Sequence, residues 1–266
     1  MSQHWYTKDG QSRYDADVRI ARKEGLLPSV TTIDKMIYNE GLEKWKVNQA
    51  IMSALTLPKE VWFDADSCEW DTEADADYIK RIKADSMAQA RKAARMGNVL
   101  HKLCERYCSN KPLFFHGQRE DVWKCFEPVK EWIDNNIVKN PEYCETVLVG
   151  DGFAGKADYS GEIILRANTI IDLNVELLLD YKSTFIKPDD IKKDDTIKKA
   201  KIYDSWGRQL TALNKVANAD IVMSVIISTN PDFTGVWTYE WSADELDRVW
   251  VQFESAVKIY RSIKRL

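Results

Sequence analysis

The chain has 266 residues, of which 44% are hydrophobic and 30% are charged, so a packed core is expected and intrinsic disorder is excluded as the default state. Its formal net charge of −4 argues against a protein that binds nucleic acid through a uniformly positive surface. No apolar run approaches the ~20 residues of a membrane span, and the first residues lack the pattern of a secretory signal. With five unevenly spaced cysteines, these features predict a cytoplasmic protein with reduced thiols and no membrane partner.

Helices dominate the first half of the sequence and strands the second. Residues 12–31 are predicted to be extended, and Thr31 or Thr32 is predicted to cap a helix over residues 33–54. The further predictions are one helix or two joined near Gly97 over 72–108, a helix over 120–136, strands over 145–149, 157–165, 169–173 and 176–182, a helix over 199–217, strands over 221–227 and 235–241, and a helix over 243–263. This order predicts one α/β or α+β domain over 1–266, mostly helical over 1–140, with a sheet core and flanking helices over 141–266.

Charge is unevenly distributed along the chain. Residues 60–77 contain eight acidic side chains and no basic one, and residues 80–102 then contain seven basic side chains against Asp85 alone. A second group of five lysines lies between Lys192 and Lys201. Such runs most often form solvated helix faces, and the alternative for the basic ones is contact with phosphate groups.

An apolar run that ends in Asp180-Tyr181-Lys182 is the strongest indication of chemistry in the sequence. Side chains on a strand alternate, so Asp180 and Lys182 are predicted on the same face at the edge of a buried strand. A carboxylate beside an ammonium group can bind a divalent metal and position water for phosphodiester hydrolysis. A surface strand that carries such a triplet by chance is the alternative.

The helix through Gly97 has an apolar face that includes His101, Cys104 and Cys108, at steps of three and four residues. His101 is therefore predicted to point inward, with Glu105 one turn later, and Gly97 lets another backbone or a ligand approach closely. A core histidine with a satisfied hydrogen bond is the alternative. The two cysteines are predicted to pack in the core, because no second Cys or His pair completes a zinc site.

The segment from Gly150 to Asp158 matches the glycine patterns of two nucleotide-binding motifs. Both motifs need a helix directly after the last glycine, so that its N-terminal amides face phosphate. Here Ala157 follows Lys156 where a phosphate loop has Ser or Thr, and the continuation has strand character. A hairpin that places Asp158 beside Asp180 is therefore predicted, and a nucleotide-binding protein that uses this glycine-rich loop is the alternative.

Gln209 is a polar residue on an otherwise apolar helix face, typical of an amide beside a charged site or of a glutamine at the edge of the core. In the order of these motifs the sequence resembles the RecB-like branch of the PD-(D/E)xK nucleases. Through Pro28-Ser-Val-Thr-Thr32 it resembles the subgroup of phage exonucleases and mitochondrial genome maintenance exonucleases. The matching residues are Gly97, His101, Glu105, Glu145, Gly155-Lys156-Ala157-Asp158, Asp180-Tyr181-Lys182-Ser183-Thr184 and Gln209.

The resemblance implies a restriction-endonuclease-like α/β core, with a central mixed sheet flanked by helices, and a helical N-terminal part. It implies a metal-dependent DNA exonuclease of a bacterial or phage-infected cell that hydrolyses phosphodiester bonds in single-stranded DNA or at DNA ends. The implied cofactor is Mg²⁺ or Mn²⁺. An iron–sulfur cluster is not expected, because no cysteine follows Cys144. The implied metal ligands are His101, Asp158, Asp180 and the backbone carbonyl of Tyr181.

The remaining motif residues receive roles from the same resemblance. Lys182 would orient the attacking water, Gln209 would hold Lys182 or the DNA backbone, and Glu105 would orient the site or bind a second metal. DNA contacts are predicted for Arg91, Lys92, Arg95, Lys102, Ser183 and Thr184. Asp172 rivals Asp180 as the second acid, although Asn174 rather than lysine lies two residues on. A nuclease-fold DNA-binding protein without catalysis is a further alternative.

Overall fold

A computed structural model of the chain describes residues 4–113, 120–164 and 175–266. Contacts separate two compact units, Met1–Ile37 with Met96–Leu266 and Tyr38–Arg95, which we call the sheet unit and the small unit. The sequence predicts a single domain over the same length. The predicted strand over 169–173, together with Asp172, lies outside the described residues.

Three short strands and two helices open the sheet unit. The strands form a small antiparallel sheet in the order β2-β1-β3, and Asp17 caps the first helix by accepting hydrogen bonds from the N–H groups of Arg19 and Ile20. The extended structure predicted for 12–31 is therefore wrong over this helix, and Ser29 rather than Thr31 or Thr32 caps the second. The elements are β1 (Trp5–Tyr6), β2 (Ser12–Arg13), α1 (Val18–Glu24), β3 (Leu27–Pro28) and α2 (Val30–Asp34).

The small unit contains two helices that enclose a β-hairpin in sequence. Its elements are α3 (Glu40–Thr56), β4 (Val61–Asp64), β5 (Glu69–Thr72) and α4 (Asp75–Ser86). Asn39 caps α3, so the single helix predicted over 33–54 is two. The hairpin was not predicted, because nearly all of its residues are exposed and no burial alternation marks its strands.

A long helix, α5 (Ala88–Cys108), begins in the small unit and continues in the sheet unit. The sequence places a possible break near Gly97, but the chain leaves the helical path at Met87, between α4 and α5. Gly97 therefore lies inside a continuous helix, where its lack of a side chain serves packing rather than a bend.

The central sheet has five strands in the order β10-β9-β8-β7-β6. Its β8–β9 pair is parallel, whereas its other neighbouring pairs are antiparallel. A short 3-10 turn, Lys199–Lys201, precedes α7, so the helix predicted from residue 199 begins five residues later. The elements are α6 (Glu120–Asn136), β6 (Cys144–Gly150), β7 (Phe153–Glu162), β8 (Glu176–Thr184), α7 (Asp204–Ala217), β9 (Ile221–Ser228), β10 (Val236–Glu240) and α8 (Ala243–Lys264).

Helices cover both faces of this sheet. Leu178 of β8 packs in one core with Leu210 of α7 and Phe253 of α8. Its neighbour Leu179 points to the opposite face and packs with residues of α5 and α6, such as Phe126. The predicted mixed α/β sheet with flanking helices is confirmed at this level. Within the described ranges, no helix has the length and apolarity required to cross a membrane.

Candidate active site

The candidate site lies where β7 and β8 separate. Their antiparallel pairing runs from Glu162 opposite Glu176 to Tyr159 opposite Leu179. Asp158 is the next residue on β7, and its Oδ2 accepts a hydrogen bond from the backbone N–H of Tyr181 at 2.7 Å. A side-chain carboxylate therefore binds this strand amide beyond the end of the regular ladder, which fixes Asp158 at the edge of the sheet.

Lys182 and Asp180 lie on one face of β8, as the strand alternation predicts. The Lys182 ammonium contacts the Asp180 carboxylate, and both side chains are about five-sixths buried, with 15% and 16% exposed. Lys182 Nζ also donates to Gln209 Oε1 at 3.0 Å. Gln209, the polar residue on the apolar face of α7, therefore contacts the lysine of the Asp-x-Lys triplet. Asp180 and Gln209 hold the ammonium group from two sides.

His101 joins the acid pair from α5. Its Nδ1 lies 3.3 Å from Asp158 Oδ2, and its ring meets that of Tyr181 edge-on with centroids 6.2 Å apart. One turn earlier, a Cβ atom on Gly97 would overlap the Ser183 hydroxyl. Glycine at this position therefore lets α5 pack closely against the end of β8 without displacing the Ser183 hydroxyl, and this close approach brings His101 to the acids.

The two carboxyl groups are neighbours at the sheet edge, and each affects the pKa of the other. Burial raises the pKa of Asp180 to about 7; Lys182 works against the shift and the Asp158 charge adds to it. Burial would also raise the pKa of Asp158, but the bonds from His101, Asp180 and the Tyr181 N–H lower it to about 2. The surroundings of the two acids therefore shift their pKa values in opposite directions.

The pKa of His101 reflects two opposing effects. Burial lowers it, whereas the hydrogen bond to Asp158 and the nearby charge of Asp180 raise it, and the net result is a pKa above the usual value.

The other residues predicted for the site are not all gathered at the acid pair. Glu105 contacts Lys102 and is 3.8 Å from Lys111, so its interactions are with lysines rather than with the acid pair. Ser183 and Thr184 complete β8 beside Lys182. Arg91, Lys92 and Arg95 belong to the small unit, where the Arg91 guanidinium donates to the backbone carbonyl of Ala84.

Trp206 was not singled out from the sequence as a site residue. Its ring centroid lies 6.0 Å from Lys182 Nζ, a favourable distance for a cation over an aromatic ring. The sequence does contain a signal, because Trp206 precedes Gln209 by three residues and so lies on the same helix face. Its large apolar surface makes a core role the default interpretation, and it is in fact half-buried against two core clusters.

The glycine-rich loop is the predicted hairpin. Gly150 pairs with Phe153 across a two-residue turn, in which Gly152 has a φ of +83° that favours glycine. The chain continues from Gly155 as strand β7, so no helix begins directly after the last glycine. Lys156 pairs with Glu145 at 2.8 Å instead of standing free for a phosphate group.

The donor set suits a hard divalent cation. Two adjacent buried carboxylates would bind Mg²⁺, and the imidazole of His101 would be tolerated better by Mn²⁺. In the described ranges, no three His, Cys, Asp or Glu side chains already stand in a ligating arrangement. Two neighbouring carboxyl groups at one sheet edge, with His101 Nδ1 3.3 Å from Asp158 Oδ2, are oxygen and nitrogen donors whose chemistry fits such a cation.

Comparisons with known proteins add little to this geometry. No family model matches the chain, and no curated protein matches it either. Among solved structures, it is similar to the crystal structure of SSO0001 with a TM-score of 0.31 and 12% identity, over 84% of this chain and 87% of that one. A similarity this weak supports no argument about fold or function.

Proposed function

We propose that the protein is a metal-dependent DNA exonuclease with a restriction-endonuclease-like core, acting on single-stranded DNA or DNA ends in the cytoplasm of a bacterial or phage-infected cell. One observation carries the proposal: four elements bring two buried carboxyl groups, a histidine, a lysine and a glutamine into one continuous set of contacts at the sheet edge. The residues are His101 of α5, Asp158 of β7, Asp180 and Lys182 of β8, and Gln209 of α7.

This arrangement lowers the stability of the folded state, and a function would account for it. Burying a carboxylate is unfavourable unless it is paired, and placing two side by side adds repulsion. A structural ion pair would need only one of them with Lys182. The second acid, together with the histidine bonded to it, is what distinguishes a candidate catalytic centre from a buried salt bridge.

Each residue has a task in hydrolysis of a phosphodiester. Asp158, Asp180, His101 and the Tyr181 carbonyl would hold Mg²⁺ or Mn²⁺. When bound, the cation would polarise the scissile phosphate and lower the pKa of a water molecule. Lys182 would orient that water and stabilise negative charge on the phosphate. Gln209 holds the Lys182 ammonium at 3.0 Å, which limits the positions that the ammonium group can adopt.

The proposal is tested with labelled 5′-ended, 3′-ended, circular and duplex DNA, incubated with Mg²⁺, Mn²⁺, Ca²⁺ or a chelator. Cleavage should require Mg²⁺ or Mn²⁺ and should stop with chelator. Ca²⁺ should not support it, because its larger and looser coordination shell orients water poorly. Asp158→Asn and Asp180→Asn should each abolish cleavage. Activity above about a tenth of the parental rate, equivalent to ~1.4 kcal/mol of barrier, would remove that residue from the ligand set.

Two other functions give different results in the same assay. A DNA-binding protein with this fold but no catalysis would bind the oligonucleotides and leave them intact with every metal. A nucleotide-binding protein would bind ATP or NAD at the glycine-rich loop, an interpretation disfavoured by the hairpin geometry and by the pairing of Lys156 with Glu145.

A further inference from the structure

The region beside Lys182 contains an aromatic pair that the proposed chemistry does not use. Trp206 lies in the first turn of α7, with its ring 6.0 Å from Lys182 Nζ. Tyr203 immediately precedes α7, and its ring meets that of Trp206 edge-on with centroids 5.0 Å apart at 73°. The two rings therefore extend from the candidate catalytic lysine towards solvent.

The two rings differ in exposure. Trp206 is half-buried and packs with Ile202 and Ile226, so it is anchored from behind. The Tyr203 side chain is 44% exposed, and, although Tyr203 occupies the N-cap position of α7, its side chain makes no capping hydrogen bond. Neither helix capping nor core packing therefore accounts for a large ring at this position.

The connection between β8 and α7 also suits a phosphate backbone. Residues 185–203 contain six lysines against four aspartates. Lys201 pairs with Asp190 at 3.0 Å, whereas Lys192 and Lys193 are exposed and form no ion pair among the described residues. The connection that ends at Tyr203 therefore presents both exposed lysines and an exposed ring.

We propose that Tyr203, supported by Trp206, stacks on an unpaired base next to the phosphate that Lys182 faces. This inference rests on the proposed nuclease function and names its substrate class as single-stranded DNA. An aromatic ring can stack on any base, so the contact is tolerant of sequence. A base inside a duplex already has both faces stacked, and the ring therefore favours single strands over blunt duplex.

The test measures the coupling between the ring and one base. The probe is a fluorescein-labelled oligothymidylate of about 12 nucleotides, within the usual size range of single-strand sites. It is compared with a series of the same oligonucleotide in which a single abasic nucleotide occupies each position in turn. Fluorescence anisotropy in Ca²⁺ gives the affinities of the parent, Tyr203→Leu and Tyr203→Phe. Tyr14→Leu, which removes another exposed ring of the sheet unit (69% exposed), is the matched control.

In the parent, the abasic nucleotide should lower affinity roughly tenfold at one position, the size of a single stacking contact. Tyr203→Leu should bind the intact oligonucleotide roughly tenfold more weakly and lose nothing further when the abasic nucleotide is introduced. Tyr203→Phe and Tyr14→Leu should behave as the parent, and Tyr203→Leu should bind blunt duplex unchanged. Circular dichroism and melting temperature establish that the leucine variant is folded.

An abasic profile that is the same in Tyr203→Leu and the parent would overturn the stacking contact, as would an equal loss of affinity for blunt duplex. The proposed function fails separately: coupling without Mg²⁺-dependent cleavage leaves a stacking site on a non-catalytic protein. Cleavage without coupling would support the proposed nuclease function and rule out the stacking contact. If the parent binds no oligonucleotide, both proposals are wrong.

Discussion

Asp158 and Asp180 have the same side chain but opposite electrostatic surroundings. Asp158 accepts bonds from His101 and from the Tyr181 N–H, and its pKa is lowered to about 2. Asp180 is buried beside the Asp158 charge, and its pKa is raised to about 7 despite its contact with Lys182. At the scale of single residues, the site is therefore defined by two neighbouring carboxyl groups whose surroundings shift their pKa values in opposite directions.

The first prediction concerns stability against pH in the presence of chelator. A carboxyl group whose pKa is raised on folding stabilises the native state below its unfolded pKa near 4, and this contribution is lost as pH rises towards 7. Asp180→Asn removes this titration. Its melting temperature should fall less than that of the parent between pH 4 and 7, and should be higher than the parent's at pH 8.

The control for this comparison is Asp232→Asn, which changes an exposed aspartate. Its melting profile should follow that of the parent throughout. Asp158 affects stability with the opposite pH dependence. A carboxyl group whose pKa is lowered on folding stabilises the native state above pH 4, and this stabilisation is lost as pH falls towards 2. Parallel melting profiles for Asp180→Asn and the parent would mean that the acid pair is not coupled as described.

The second prediction separates Lys182 from Gln209. Lys182→Ala should lower kcat by orders of magnitude and leave KM nearly unchanged, because the ammonium acts on the transition state. Gln209→Ala should cause a smaller loss of kcat, and Gln209→Glu, which keeps an acceptor for Nζ, should recover part of it. Because Gln209 acts through Lys182, the double alanine variant should be no slower than Lys182→Ala. Single-turnover rates and KM values provide the measurement; a purely additive double variant would show that Gln209 acts independently.

At the scale of elements, the packing of α5 against β8 positions His101. The contact depends on Gly97, whose position faces the Ser183 hydroxyl so closely that a Cβ atom cannot fit. The Ser183 Cβ lies 3.7 Å from the same point, an ordinary contact distance. The hydroxyl oxygen alone therefore prevents a larger residue at this position.

The third prediction follows from these distances. Gly97→Ala should destabilise the protein and lower cleavage, because α5 must shift away from β8. Ser183→Ala should suppress the defect, and in its background Gly97→Ala should stabilise by up to about 1 kcal/mol, the helix preference of alanine over glycine. Urea unfolding of the four proteins measures the coupling. Gly41→Ala in α3, where the added Cβ meets only an ordinary contact at 3.5 Å, is the control and should be neutral or stabilising.

Elements with a buried face were the most predictable. Helix α6 has the predicted limits, and β8, β9 and α8 differ from the predictions by one or two residues at their ends, because alternating or 3.6-residue burial marks them. The β4–β5 hairpin lacks such a pattern, since nearly all of its residues are exposed. The two-helix division at Asn39 was missed because the polar cap lies between segments that are both favourable for helix.

The contacts of the candidate site were predictable to a different degree. Strand alternation was sufficient to place Asp180 beside Lys182, and helix periodicity placed Gln209 on the inner face of α7. The hydrogen bond from the Tyr181 N–H to Asp158 was not predictable, because the sequence does not show where β7 and β8 stop pairing. The exposed ring of Tyr203 carries no periodic signal at all.

At the scale of the whole molecule, a negative protein is proposed to bind a negative polymer. The net charge of −4 opposes this association, so binding would depend on local groups of basic residues. The sequence offers two such groups, the basic residues of α5 and the lysines that precede α7. Arg91, Lys92 and Arg95 of the first group and the lysines of the second belong to different compact units, and the dependence of binding on salt can distinguish them.

The fourth prediction is that replacing Arg91, Lys92 and Arg95 with glutamine reduces the slope of log affinity against log salt by about 2 for a single strand, at ~0.7 per phosphate contact. The matched variant replaces Lys192, Lys193 and Lys198 in the same way. Anisotropy titrations over a range of salt concentrations, in Ca²⁺, measure both slopes. An unchanged slope for the first triple and a flattened one for the second would place the strand along the connection between β8 and α7 alone.

The separation of the site residues along the chain has a consequence for folding. Asp158 and Asp180 come from consecutive strands, but His101 comes from α5, before β6 and β7, and Gln209 from α7. In addition, β8 meets β9 in a parallel pair that needs the intervening crossover helix. Contacts of this kind form late, since each requires the closure of a long loop. A nascent or partly folded chain would therefore have its helices before His101 and Gln209 reached the Asp-x-Lys strand. The proposed nuclease activity would be silent until then, which would protect the nucleic acid around an unfinished polypeptide.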